Sequence, residues 1–111
     1  VAQFIDPFVI KIPDRFLSQR EVERAIRQSI AAEQEAVHLY EAIADATDNS
    51  LVQAVMQDIA NEEKVHAGEF QELLQRLSGE EEGYMNDGAE EIEEISRRVA
   101  SELIKVAKLL L

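Results

Sequence analysis

The sequence has no cysteine, no tryptophan and only two prolines. Without cysteine there can be no disulfide scaffold, no thiolate-held iron–sulfur cluster and no thiolate zinc site. Basic residues are scarce, 11 Lys and Arg against 23 Asp and Glu, giving a formal charge of −12. That balance argues against nucleic acid, which needs a concentrated basic face, and against an anionic membrane surface. No stretch approaches the ~18 apolar residues of a membrane span. No secretory signal pattern opens the chain, so the expected compartment is cytoplasmic, and Val1 in place of Met is what a processed chain or a portion of a longer one would show. The length of 111 residues allows one domain with one modest core.

Composition divides the chain into four parts. Residues 1–17 hold both prolines and three of the four phenylalanines, Phe4, Phe8 and Phe16. Pro7 and Pro13 oppose a helix, so this part reads as an extended arm that packs onto something. From Ser18 to about Thr47 the chain is dense in tolerable or good helix formers, and Ser18 with Glu21 has capping-box spacing. Asp48, Asn49 and Ser50 form a polar break. Ser50 with Gln53 offers a second capping box, and residues 51–77 read as a second long helix. Ser78 and Gly79 end it, with the glycine suited to a left-handed C-terminal position. So short a connection predicts an antiparallel hairpin over residues 18–79. Residues 80–88, acidic and glycine-flanked, read as a linker. Residues 89–111 form a third amphipathic helix in which Ile92, Ile95, Val99, Leu103, Val106 and Leu110 recur at spacings of three and four. Its acids precede its bases, which suits the helix dipole. The expected fold is all-α, a two-helix hairpin plus a C-terminal helix.

Helical wheels place ionisable groups inside the apolar stripes. In the first helix Val22, Ile26, Ile30, Val37, Tyr40 and Ala44 fall within a sector roughly 80° wide, and Glu33 falls inside it. In the second, Val52, Val55, Met56, Ile59, Phe70, Leu73, Leu74 and Leu77 form the stripe, with Glu63 and His66 inside it and Glu62 toward its edge. A buried carboxylate without a partner costs several kcal/mol. Arg24, Arg27 and Lys64 project to the other side of their helices, and one imidazole cannot neutralise two carboxylates.

A bound cation can. Glu63 and His66, as Glu-x-x-His, lie about one turn apart on one face and can reach one metal, while Glu33 on the facing helix supplies further oxygen ligands. Three ligands are half of the usual carboxylate-bridged dinuclear set, and two copies of the chain supply the whole. Four carboxylates then balance two divalent cations. Oxygen and nitrogen donors without sulfur suit iron(II) or manganese, with zinc a substitute. The plainer reading of Glu33, Glu63 and His66 is a hydrogen-bonded polar cluster fixing the register of a dimer interface. A second Glu-x-x-His, Glu35 with His38, lies with Glu41 on the polar face and reads as solvated surface. Tyr40 shares the stripe of Glu33. It reads as a core aromatic whose hydroxyl reaches a polar atom, the alternative being a redox or supporting role at the metal. Met56 and Phe70 read as core.

The segments from Glu33 through Glu35, His38 and Tyr40, and from Asn61 through Glu62, Glu63, Lys64 and His66 to Ala67, resemble the ferritin-like, rubrerythrin-type superfamily. Within it they resemble the encapsulated ferritins, whose chain has two main helices. The likeness covers Ser18 to Ser78. It implies half a four-helix bundle per chain, completed by a homodimer with a di-iron ferroxidase centre at the interface. It further implies a ring of dimers packaged in an encapsulin shell that holds the iron mineral. By position Glu33, Glu63 and His66 would be the iron ligands, with Tyr40 nearby. Of an outer acidic pair that family members can carry for metal uptake, one position matches Glu35 and the other is Ala32. Family cargo chains usually end in a flexible linker and a shell-targeting peptide; here the end is an amphipathic helix closing on Leu109, Leu110 and Leu111.

Three functions follow as expectations. The first is a ferroxidase oxidising iron(II) with dioxygen or peroxide. The second is a rubrerythrin-like peroxide reductase drawing electrons from a separate donor, since no cysteine is available for a rubredoxin-type site. The third is a helical assembly module with a structural metal or none.

Overall fold

The computed structural model describes residues 12–111 and contains three α-helices, with no strand among the described residues: α1 (Gln19–Ala46), α2 (Ser50–Leu77) and α3 (Glu81–Leu110). Phe4, Phe8 and Pro7, expected in a packed arm, lie outside the described residues. The remainder of the arm, 12–17, is non-helical, and Phe16 is fully exposed.

The start of α1 follows the sequence. Ser18 accepts from the Glu21 amide, and Glu21 accepts from the Ser18 amide at 2.9 Å, completing the capping box. Arg15 adds a two-pronged grip on Glu21, at 2.7 and 3.0 Å. The hydrogen bonds from Arg15 and from the Ser18 backbone hold the Glu21 carboxyl down at about 2.

The start of α2 differs from expectation. Asn49 is the N-cap, its side-chain oxygen accepting from the amides of Leu51 and Val52, and Ser50 is already helical. Gln53 donates to the Thr47 carbonyl at 2.6 Å instead of closing a box with Ser50. Asn49, one residue nearer the turn, reaches both orphan amides at once, which one serine hydroxyl does less readily. Nor does Gly79 adopt a left-handed conformation. Helix α2 closes through the Ser78 amide onto the Leu74 carbonyl, and no described glycine has a positive φ.

Helices α1 and α2 run antiparallel: Gln19 reaches the Leu77 carbonyl at one end, and Glu41 meets Lys64 nearer the other. Their contact line is Ile26, Val37 and Ala44 against Ala60, Ala67 and Leu74, all buried. The expected core of α2 centred on large residues, yet Val55, Leu73 and Leu77 are 38–44 % exposed while Ala60 is fully covered. Alanine lets two helices approach closely, so the contact settles on the seven-residue spacing 60–67–74. That line is rotated by roughly a quarter turn from the centre of the apolar stripe. The hairpin therefore buries one flank of the stripe and leaves the other open.

The linker expected at 80–88 is helical from Glu81 onward, forming the first turns of α3. Gly83 and Gly88 each cost about 1 kcal/mol in a helix. Glu81 and Glu82 offset part of this at the positive end of the dipole. Met85 and Gly88 also continue the stripe backwards from Ile92, so the amphipathic period never breaks. Among the described residues no helix is long and apolar enough to cross a membrane.

Candidate metal centre

Glu33 lies midway along α1, while Glu63 and His66 lie one turn apart on α2. The hairpin brings all three together. Each presents one donor atom, and the three atoms lie within 4.8 Å of one another, the one such cluster of potential ligands among the described residues. His66 Nδ1 stands 3.5 Å from Glu63 Oε2 and 3.8 Å from Glu33 Oε2. Both separations are long for hydrogen bonds. Glu33 Oε2 is buried and has no hydrogen-bond partner among the described residues.

An orphaned buried carboxylate oxygen is expensive, and native folds rarely leave one without a purpose. A divalent cation held at ~2.1 Å from each donor would set the donor atoms about 3–4 Å apart, so small side-chain rotations suffice to close the cluster around one. The donor set of two carboxylates and one imidazole suits iron or manganese. His66 keeps nearly half its side chain exposed, and the Glu33 and Glu63 side chains about a fifth. The cluster thus opens on the uncovered flank of the hairpin and does not sit at its centre.

The cation that might have served Glu33 is engaged elsewhere. Lys64 donates to Glu41 at 3.1 Å, and Gln57 donates to the same carboxylate oxygen at 3.2 Å. Hydrogen bonds from Gln57 and then Lys64 hold the Glu41 carboxyl below its ordinary value. This corrects the reading of Glu41 as plain solvated surface and of Lys64 as turned wholly outward. The pair bridges the two helices from the edge of the stripe, a place where a long lysine can cross to the neighbouring helix. Glu35 and His38 are exposed, and neither joins the cluster. Tyr40, two turns beyond Glu33 on the same stripe, is half-buried.

The rubrerythrin family profile matches residues 25–109. The chain belongs to the rubrerythrin family of ferritin-like proteins. It is 35% identical over 100 residues to the encapsulin nanocompartment cargo protein EncC of Myxococcus xanthus, covering 90% of this chain and 76% of that one. It is likewise 35% identical over 92 residues to the ferritin-like–encapsulin shell fusion protein of Pyrococcus furiosus, covering 83% of this chain and 26% of the fusion. Among solved structures, the encapsulated ferritin domain of Pyrococcus furiosus superposes with a TM-score of 0.73 at 33% identity, covering 84% of this chain and 94% of that domain. This rubrerythrin-family chain therefore has the expected all-helical, ferritin-like fold. A family of iron-handling helical proteins also suits a cluster of two carboxylates and one imidazole.

Proposed function

We propose that the protein is a ferroxidase that binds iron(II) between two copies of itself and oxidises it to iron(III), acting as cargo of an encapsulin shell. The observation that carries this reading is the buried, unpartnered Glu33 oxygen facing Glu63 and His66. Two copies, joined through the open flanks of their hairpins, complete a four-helix bundle and a six-ligand set. Glu33 and Glu63 from both copies balance the charge of two ferrous ions, and the two His66 imidazoles complete the donors. Carboxylate ligands favour the higher oxidation state, so the site lowers the cost of oxidation. Each iron(II) gives up one electron, and two electrons with two protons reduce dioxygen to hydrogen peroxide. Peroxide as oxidant takes two electrons and two protons to water. The product iron(III) leaves for storage in a compartment the hairpin does not itself enclose. Packaging is supported by the relatives, of which one is named an encapsulin cargo protein and another a fusion to a shell. On that reading the protein works inside the compartment.

Aerobic iron(II) oxidation, followed beside peroxide consumption in the same preparation, tests the proposal. Oxidation of added iron(II) well above the rate in buffer, lost on removing Glu33, supports it. Peroxide turnover with an added electron donor and no net iron oxidation would favour a peroxide reductase. Neither activity, with no metal on analysis, would leave an assembly module.

A further inference from the structure

We infer that α3 pairs antiparallel with the α3 of a second copy of this chain, in the register that sets Glu91 opposite Arg98 of that copy. The stripe of α3 is uncovered: Ile92, Ile95, Val99, Leu103, Val106 and Leu110 are 45–82 % exposed. Two independent features of the helix select the occupant and its direction.

The first is charge. From Glu81 to Glu94 the helix has seven acidic residues and no basic one; from residue 95 to 111 it has four basic residues and one acidic. A parallel copy would set acidic half beside acidic half, whereas an antiparallel copy sets acid beside base along the whole length. Within the helix Arg97 pairs with Glu93 and Lys105 with Glu102. Glu91 and Arg98 have no ion pair among the described residues. They stand seven residues apart on one flank of the stripe, where they can reach across to each other's copies.

The second feature is a single gap in the apolar stripe. The N-terminal half of the stripe contains Gly88, where an added Cβ would meet nothing within 4 Å of its own chain. The fold of the single chain therefore does not require glycine there. The C-terminal half carries Leu103, Val106 and Leu110. With Glu91 opposite Arg98, Ile92 meets Ile95 of the other copy, and Gly88 lies between its Val99 and Leu103. At Gly88 small then meets large; in a parallel pair Gly88 would face Gly88 and leave a void.

The test uses the full chain in a metal chelator at low salt, with association read by sedimentation velocity and helicity by circular dichroism. Glu91→Arg and Arg98→Glu should each weaken association about tenfold while leaving helicity intact, and the double variant should restore it. Because the chain has no cysteine, a spin label on Lys108→Cys reports direction unambiguously. At 1.5 Å per residue an antiparallel pair holds the two labels about 40 Å apart, and a parallel pair about 20 Å. A short label distance, a double variant no better than the singles, or a wild-type chain that sediments as its variants do would each overturn the inference. The iron-oxidation reading would survive any of these, since Glu33, Glu63 and His66 all precede α3.

Discussion

Glu33 Oε2 on α1 stands 3.8 Å from His66 Nδ1 on α2, and no group among the described residues donates a hydrogen bond to it. The hairpin thus holds a carboxylate and an imidazole face to face without joining them, leaving room for a cation between.

Removing any of the three donors should abolish most of the iron chemistry. Glu33→Ala, Glu63→Ala and His66→Ala are each expected to lower the initial rate of aerobic iron(II) oxidation at least tenfold. Glu35→Ala and His38→Ala should retain most of it. Equal losses from the exposed pair and the inner trio would show the chemistry lies elsewhere.

The metal-free protein should tolerate Glu33→Gln. Losing a carboxylate with one buried oxygen that accepts no hydrogen bond among the described residues removes a desolvation cost, so urea unfolding in chelator is expected to show unchanged or raised stability. A loss above about 2 kcal/mol would mean that Glu33 forms a stabilising polar contact in the absence of metal.

Iron should favour association. If two copies share the cluster, light scattering should show a larger species with iron(II) than with chelator, and Glu63→Ala should suppress the difference. A monomer binding two irons per chain would contradict a shared site.

The two sides of the α1–α2 turn should differ. Asn49→Ala is expected to cost about 1 kcal/mol in thermal or urea unfolding, because both cap bonds go. Ser50→Ala should cost a few tenths at most, being a substitution at an exposed first-turn position.

Acid should loosen the N-terminus of α1. Glu21 titrates lower in the fold than in the unfolded chain, so its contribution is fully present above about 4.5 and is lost as pH falls through about 2. Carboxyl titration by NMR should place Glu21 well below the other glutamates, and Arg15→Ala should move it back up. No movement on losing Arg15 would show that the Ser18 amide alone holds it.

Helix content, the α1 cap and the nearness of Glu33, Glu63 and His66 were legible because they depend on local periodicity. A residue's place on a 3.6-residue wheel follows from its number alone, so two ionisable groups inside an apolar stripe stand out before any packing is known. The second cap and the start of α3 were misjudged for a related reason. Asn49 and Ser50 are both good caps, and Gly83 and Gly88 both break and tolerate helices. In each case local chemistry allows two answers and the neighbouring turns choose.

What periodicity could not determine is which flank of each stripe the hairpin would use. The chain by itself specified three amphipathic helices and the residues that oppose burial. Only tertiary structure decided that Ala60 and Ala67, not the large residues of the stripe, would line the α1–α2 contact, and that Lys64 would spend its charge on Glu41. Close approach and cross-helix reach depend on distances between elements, which no single-helix pattern contains. That rotation leaves the cluster on an open flank, with one Glu33 oxygen accepting no hydrogen bond among the described residues.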